Sequence, residues 1–145
     1  MSPRSLVIQV VACDTTEEMG RAYLAADPRA DVVELRFDLV KNLRPDRLLG
    51  LRGKPKLVTI RSRQQGGGAR PADREPLIRR ALAAGVEYVD LEFADKDLVF
   101  LKGPGRSRRI LSYHDFQGTP ADLLALHRDM RAAGDDALLK IVTFA

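Results

Sequence analysis

The sequence predicts an α/β fold in which six parallel strands alternate with helices. Short β-branched runs alternate with longer amphipathic stretches from one end of the chain to the other. The stretches between these runs are long enough for the helical crossovers that join parallel strands. The chain has 145 residues, of which 45% are hydrophobic and 30% are charged. Because this size and composition are typical of one globular domain, we expect residues 1–145 to form a single domain.

Three strands and two helices are predicted in the first half of the chain. The strands cover 6–12, 31–38 and 56–61, and the helices cover 14–26 and 45–51. The segment Asp14–Glu18 favours a helix start because it supplies capping residues and early acidic side chains. Three consecutive glycines, Gly66–Gly68, come after the third strand and predict a mobile loop there.

The second half of the chain continues the alternation. The strands cover 88–93, 109–114 and 138–144, and the helices cover 73–84, 95–101 and 119–133, the middle helix having the weakest pattern. Gly85 marks the end of the first of these helices, because glycine readily adopts the left-handed conformation that closes many helices. The pair Thr119-Pro120 is typical of a helix start.

Charged residues inside the predicted strands distinguish two architectures. They are Glu34, Arg36, Arg61, Asp90, Glu92, His114 and Lys140. A doubly wound open sheet suits the chain length, since a (β/α)8 barrel typically needs about 250 residues. However, strands buried between two layers of helices are normally almost all apolar. Residues two apart on a strand face the same side, so this set would converge on the axis of a barrel. The charged set therefore favours a (β/α)8 barrel of the TIM type over the open sheet only if the barrel is incomplete, with about six βα units.

Lys140 and His114 are the residues best suited to covalent and acid–base chemistry. Lys140 lies between two apolar residues, and burial there would lower its pKa and leave free amine to form a Schiff base with a carbonyl. The alternative is a lysine at a strand end that reaches solvent. His114 has the side chain for proton transfer, and either Asp115 or Glu92 could orient it. Each residue taken alone fits a structural role, whereas the two together indicate a site.

Several functional classes are disfavoured by composition. The net charge is +4, the basic clusters are short and aromatic residues make up 6%, which argues against nucleic-acid binding. Gly66–Gly68 match no nucleotide-binding motif, and His114, His127 and Cys13 have no metal-ligand spacing. No apolar stretch reaches the roughly 20 residues of a membrane span. A lone cysteine is typical of the reducing cytoplasm, which is the compartment we expect.

Five short motifs together resemble type I 3-dehydroquinate dehydratases. They are Val33–Asp38, Thr59–Ser62 with the glycines after it, Asp90–Glu92, Ser112–Phe116 with Thr119-Pro120, and Lys140-Ile141. Each motif is weak alone, but all five occur in the order of this family and at about its spacing. The resemblance implies a (β/α)8 barrel that dehydrates 3-dehydroquinate to 3-dehydroshikimate in the shikimate pathway, with neither a metal nor an organic cofactor.

The resemblance also implies roles for single residues. Lys140 would form the imine with the substrate ketone, and His114 would act as general base and then as general acid. Glu92 matches an acidic position near this histidine. The positions that match substrate-binding residues of the family are Glu34, Arg36 and Arg61.

The sequence departs from the family pattern in two ways. Gln65 stands where the family usually has a glutamate, and no counterpart of the last two strands follows the sixth one. Open strand edges would favour a homodimer or other self-association. Two alternatives stay open: a catalytically impaired fragment or relative that binds a small carboxylate through Arg36 and Arg61 or assembles with another chain, and another Schiff-base lyase such as an aldolase.

Overall fold

Six parallel strands lie side by side in the same order as they occur along the chain. The computed structural model describes residues 4–95, 98–99 and 101–144. The strands are β1 (Ile8–Val11), β2 (Val32–Arg36), β3 (Lys56–Thr59), β4 (Tyr88–Glu92), β5 (Arg108–Asp115) and β6 (Leu138–Thr143). A doubly wound sheet reverses its strand order at a switch point, whereas a barrel adds each strand on the same side of the last. The predicted incomplete barrel is confirmed, and the open sheet is excluded.

Within the described residues, four helices connect these strands. They are α1 (Thr16–Leu24), α2 (Pro45–Leu49), α3 (Pro71–Ala83) and α4 (Leu123–Ala133), with short 3-10 turns at Phe37–Leu39 and Arg63–Gln65. The predicted start of α1 is confirmed, since the side chain of Thr15 accepts a hydrogen bond from the backbone N–H of Glu18. Among the described residues, no helix is long and apolar enough to cross a membrane.

Two predicted helices differ from the structure. Helix α4 begins at Leu123 rather than at Thr119-Pro120, because the carboxylate of Asp122 accepts the backbone N–H of Ala125 and caps the helix there. The weak helix predicted over 95–101 includes Lys96, Asp97 and Phe100, which lie outside the described residues. Of the described residues in that range, Leu98 and Val99 lie in a turn.

Apolar side chains fill two separate regions. The main core lies between the sheet and the helices, and its largest fully buried members include Met19, Tyr23, Phe37, Ile78, Leu91 and Met130. A smaller cluster comprises Val32, Leu57 and Ile110, with Tyr88 packed against it. These residues precede Glu34, Thr59, Asp90 and Ser112 by two positions, so they share a strand face with them. The inner face of the sheet therefore has an apolar layer, here called the floor, beneath a polar one.

Burial falls from the middle of the sheet to its edges. All four residues of β3 are buried, as are four of the five residues of β4. In contrast, Ile8 and Val10 of β1 are 43% and 54% exposed, and no residue of β6 is fully buried. Within the described part of the chain, β1 and β6 each pair with a strand on one side only. The two edges of the sheet are thus open and partly apolar.

Candidate active site

The polar layer above the floor brings five strands together at one place. Thr59 Oγ1 donates a hydrogen bond of 2.7 Å to Glu34 Oε1, which joins β3 to β2. Ser112 Oγ donates one of 2.6 Å to Asp90 Oδ1, which joins β5 to β4. Ser112 is also in register with Lys140 on β6. The predicted convergence of polar strand residues on the inner face is therefore observed for β2 to β6.

Arg61 is the cation at the centre of a buried hydrogen-bond network. It follows the end of β3 by two residues, rather than ending the strand as predicted, and its side chain is 5% exposed. Its Nη2 donates to Asp90 Oδ2 at 2.8 Å, and its Nη1 donates to Ser112 Oγ at 2.8 Å and to Glu92 Oε1 at 3.4 Å. We call Arg61, Asp90, Glu92 and Ser112 the Arg61 network. Its charges are buried but paired, which is the condition for burying them at all.

Glu92 fixes the loop after β3 and makes no hydrogen bond to His114. Glu92 Oε1 accepts the backbone N–H of Ser62 at 2.8 Å, and Oε2 accepts the Ser62 hydroxyl at 2.7 Å. Together with Arg61, which donates to Oε1, these donors give each oxygen of the carboxylate at least one hydrogen bond. The expectation that Glu92 orients His114 is therefore wrong, because the loop after β3 supplies closer donors.

Arg74 is a member of this region that sequence reasoning missed. It lies on α3, its side chain is 5% exposed, and its Nε donates to the carbonyl of Ile60 at 3.0 Å. Its guanidinium also forms ion pairs with Asp95 and with Glu92, the latter at 3.6 Å. The sequence does contain a signal, since Arg74 precedes the buried Ile78 by four residues and so shares its helix face.

Arg36 lies at the end of β2 on the inner face and is held by Asp38. Its Nε and Nη2 donate to the two carboxylate oxygens at 2.9 and 2.8 Å. This hydrogen-bonded pairing raises the pKa of Arg36 above its ordinary value, with burial acting against it. The Arg36 side chain is 21% exposed, so it is accessible from the interior of the incomplete barrel.

Lys140 is less enclosed than its apolar neighbours in the sequence suggested. Its side chain is 35% exposed, and its Nζ lies 4.0 Å from both Glu34 Oε1 and Asp90 Oδ2. The expectation of an apolar enclosure is wrong for two reasons. The residue faces the polar layer, and β6 is the outermost strand of the described sheet.

His114 lies on β5 beside Lys140 and is neutral near pH 7. Burial, followed by the positive charge of Arg61, lowers its pKa to about 4, against the opposing effect of Asp90. Its Nδ1 is buried and has no hydrogen-bond partner among the described residues. The ring stacks on Phe116, with centroids 6.1 Å apart. A neutral imidazole with a free nitrogen can accept a proton.

Neither carboxylate predicted to orient His114 does so. Asp115 Oδ1 instead accepts the backbone N–H groups of Gln117 at 2.8 Å and Gly118 at 3.2 Å, which closes the turn after β5. The side chain that reaches this strand is Gln65, whose Oε1 accepts the backbone N–H of His114 at 3.0 Å. Gln65 thus ties the loop after β3 to the strand of the histidine.

The glycine-rich loop after β3 is closely packed, contrary to the predicted mobile loop. Gly67 N donates to the carbonyl of Ser62 at 2.8 Å, and Gly68 N donates to Asp38 Oδ2 at 3.1 Å. A Cβ at Gly67 would overlap the backbone of Arg61, and one at Gly68 would overlap the carbonyl of Asp38. Glycine is required here because the chain passes close to neighbouring backbone.

The inner face combines an amine, a neutral imidazole and carboxylates. Ser112 is in register with Lys140, and His114 lies two residues further along β5, so amine and imidazole lie on the same face of neighbouring strands. Among the described residues, no group of three or more His, Cys, Asp or Glu side chains is placed to hold a metal ion. The arrangement suits attack by an amine on a carbonyl, followed by proton transfer at the adjacent carbon.

Comparisons with known proteins agree with this geometry. Residues 6–145 match the family model of type I 3-dehydroquinase. A 3-dehydroquinate dehydratase of Pyrococcus abyssi is 33% identical over 147 residues, which cover 97% of this chain and 67% of the relative. One of Methanococcus maripaludis is 32% identical over 148 residues, covering 96% and 65%.

A solved structure shows the same fold. The crystal structure of 3-dehydroquinate dehydratase from Geobacillus kaustophilus has a TM-score of 0.82 at 25% identity, and the match covers 97% of this chain. It covers 62% of that structure. This chain thus spans roughly two thirds of the length of these proteins, at 67%, 65% and 62%.

Proposed function

Because the chain belongs to the type I 3-dehydroquinase family, we propose that it takes part in the dehydration of 3-dehydroquinate to 3-dehydroshikimate through an imine on Lys140. This reaction is a lyase step of the shikimate pathway. The observation that carries the proposal is the placement of an amine and a neutral imidazole on the same face of neighbouring strands. The proposal needs no metal or organic cofactor, since the amine itself supplies the electron sink.

The proposed reaction begins with Lys140. Its free amine attacks the ketone carbon of the substrate, and loss of one water molecule with uptake of one proton from solvent gives a protonated imine, and this proton returns to solvent when the imine is hydrolysed. His114 takes a proton from the carbon next to the imine, whose positive charge accepts the electron pair. The hydroxyl one carbon further on then leaves with a proton from His114, and hydrolysis of the imine releases the product. One molecule of water is lost overall.

The remaining site residues are proposed to bind or to position. Arg36, which is 21% exposed, and Glu34, whose buried carboxylate lies 4.0 Å from the Lys140 amine, would contact the carboxylate and the hydroxyls of the substrate. Arg61 belongs to the same proposed substrate-binding set, and since its terminal nitrogens donate to Asp90, Ser112 and Glu92 it would act by holding these side chains on the inner face. Glu92 would contribute by holding Arg61 and Ser62 in place.

The pKa of His114 sets how well it can act as a base. A pKa of about 4 keeps the ring neutral but makes it a weaker base than the optimum near the working pH. Arg61, Lys140 and Arg36 all lower this pKa by their charge. A bound carboxylate substrate would counter these charges, and the basicity of His114 would rise when the site is occupied.

The open edges bear on the partners of the chain. We propose that residues 1–145 form one domain that associates with itself, because among the described residues β1 and β6 expose apolar side chains and each pairs with a strand on one side only. Val10, Leu138 and Phe144 are 54%, 37% and 62% exposed. We propose that the protein acts in the cytoplasm, since one partly buried free cysteine suits a reducing compartment.

Trapping of the imine tests the proposed reaction. The protein is mixed with 3-dehydroquinate, reduced with borohydride and analysed by intact-mass and peptide mass spectrometry. We expect an adduct that maps to Lys140 and that the Lys140→Met variant lacks. Lys41→Met is the matched control, because Lys41 is an exposed lysine whose side chain pairs with Asp14 at 3.3 Å, and its adduct should persist. An adduct in folded Lys140→Met, or none in the folded parent protein, would overturn the proposal.

A second candidate function is the binding of a small carboxylate without catalysis. The observation that favours it is the 35% exposure of the Lys140 side chain, which lets solvent reach the amine. In that case 3-dehydroquinate would bind equally well to the parent protein and to Lys140→Met, and neither would give an adduct. Isothermal titration calorimetry beside the trapping experiment separates the two candidates.

A further inference from the structure

Asp38 is a buried carboxylate to which the proposed reaction gives no role. Its side chain is fully buried, at 0% exposure, and it lies two residues after Arg36. It accepts three hydrogen bonds, from Arg36 Nε at 2.9 Å, Arg36 Nη2 at 2.8 Å and the backbone N–H of Gly68 at 3.1 Å. Such a carboxylate is buried at a large cost unless its partners are fixed.

The two bonds from Arg36 determine which part of its guanidinium is free. A guanidinium carries five N–H groups in one plane, and Asp38 occupies the edge formed by Nε and Nη2. Among the described residues, no protein acceptor occupies the edge formed by Nη1 and Nη2, which keeps two parallel N–H groups. That edge fits a group with two acceptor oxygens, such as a carboxylate. The charges of Glu34 and Asp90 act on Arg36, which places it beside the polar layer.

The third bond couples Asp38 to the loop after β3. Gly68 donates to Asp38, and its Cα lies too close to the Asp38 carbonyl for any side chain. The same loop carries Gln65, which accepts the backbone N–H of His114. Asp38 thus holds both the arginine and the loop that reaches the histidine.

The same bidentate pairing of an arginine with an aspartate occurs on the protein surface, between Arg29 and Asp27. Arg29 donates through Nε and Nη2 to both oxygens of Asp27, at 3.1 and 2.8 Å, with the same spacing of two residues. Its side chain is 87% exposed, and that of Asp27 is 40% exposed. This surface pair offers a matched control, since its chemistry is the same and its surroundings differ.

We propose that Asp38 is a positioning residue, which presents the Nη1/Nη2 edge of Arg36 to a carboxylate-bearing ligand on the inner face. The choice of ligand rests on the proposed function, whereas the positioning does not. Asp38 acts through Arg36 and the loop after β3 and does not itself touch the ligand.

The experiment compares Asp38→Asn with Asp27→Asn in the intact chain. Arginine Nε–H signals in ¹H–¹⁵N NMR spectra report the hydrogen bond directly, and the Arg36 signal is identified by its loss in Arg36→Lys. We expect Asp38→Asn to shift the Arg36 signal and speed its solvent exchange at least tenfold, and Asp27→Asn to leave it unchanged. An Arg36 signal that is unaffected in Asp38→Asn would overturn the proposal.

Binding of 3-dehydroquinate, measured in a Lys140→Met background to exclude covalent capture, gives the second readout. We expect Asp38→Asn to weaken it at least tenfold and Asp27→Asn to change it less than twofold. Should Asp38→Asn fail to fold, Arg36→Lys, which keeps the charge without the fork, must show the same loss. Equal affinity in a folded variant would overturn the proposal. If the parent protein binds no 3-dehydroquinate, the proposed function fails, and the NMR signal still decides whether Asp38 positions Arg36.

Discussion

Two regions of the inner face contain similar residue types but differ in burial and in how many hydrogen-bond partners their polar groups have. In the Arg61 network, both terminal nitrogens of the arginine donate to protein acceptors, and the charged side chains are 1% to 5% exposed. At the pair formed by Lys140 and His114, the amine is 35% exposed and lies 4.0 Å from its nearest carboxylates. The Nδ1 of His114 has no partner among the described residues. The first region is saturated with hydrogen bonds, and the second keeps groups that are free to react.

The difference follows from position in the sheet. Arg61 comes after β3 and contacts β4 and β5, which have neighbours on both sides, so that acceptors surround it. Lys140 lies on β6, which pairs with β5 alone within the described chain. Polar groups that satisfy one another stabilise a fold, whereas groups left without partners can act on a ligand.

The largest effect is expected from removing the cation of the saturated region. Arg61→Met leaves Asp90 as a buried carboxylate without its hydrogen-bonded cation, and removes one of the two arginines that pair with Glu92. Breaking a buried ion pair in this way costs about 3–5 kcal/mol, so the variant should lose most of its stability to unfolding. Urea denaturation followed by far-ultraviolet circular dichroism measures the loss.

Lys140→Met is the matched control for this comparison. It removes a cation of the same inner face that is partly exposed and beyond hydrogen-bond distance, so it should change the free energy of unfolding by less than about 1 kcal/mol. Equal losses in the two variants would contradict the division into a saturated and an unsaturated region.

A smaller loss of stability is expected from the loop that closes the saturated region. Gly67→Ala forces a methyl group against the backbone of Arg61, and overpacking of this kind costs about 1–3 kcal/mol. Gly118→Ala is its control in the turn after β5, because a Cβ there meets no atom within 4 Å. That variant should stay within about 0.5 kcal/mol of the parent protein in the same denaturation experiment. A Gly67→Ala variant as stable as Gly118→Ala would show that the loop is not packed as described.

The pH dependence of stability tests the unsaturated region. In the folded protein the pKa of His114 is about 4, against an ordinary value of 6.5. Between these values the unfolded chain binds a proton at His114 and the folded chain does not, so stability falls as the pH is lowered from 6.5 towards 4. Above that range His114 contributes no slope. We expect part of the slope to disappear in His114→Gln, and identical slopes in both proteins would contradict the lowered pKa.

The sequence was sufficient for the fold and for the members of the polar layer. Period-two alternation places Glu34 and Arg36, and likewise Asp90 and Glu92, on one face of their strands, and such a set favours a barrel. The strand order confirms this inference. Chain length alone pointed to the wrong architecture, because it assumes a complete barrel.

Partners within the layer could not be read from the sequence. Glu92 was expected to orient His114, but its bonds go to a loop whose path depends on the close packing of glycines. Lys140 was expected to be enclosed, because its neighbours in the chain are apolar, yet side chains next to it in sequence face the other side of the sheet. Asp38 lies at the end of a family motif, but its spacing from Arg36 did not predict a buried pair, since the identical spacing of Asp27 and Arg29 is a surface pair.

The smallest effect is expected where one residue of the loop meets the unsaturated region. Gln65 accepts the backbone N–H of His114 at 3.0 Å, and a glutamate at this position could keep that bond and add a negative charge. The charge would oppose those of Arg61 and Lys140, which lower the pKa of the histidine. Gln65→Glu should therefore raise the pKa of His114 by on the order of one unit. NMR titration of the imidazole signals measures it.

Gln64→Glu supplies the matched control, because it adds the same charge one residue away on an exposed side chain. There the solvent screens the charge, and the pKa of His114 should stay at about 4. A similar rise in both variants would mean that net charge, rather than contact, sets the pKa. A rise confined to Gln65→Glu would show that one carboxylate in contact with β5 is enough to raise the pKa of His114. The basicity of the proposed general base would then depend on one side chain of the loop after β3.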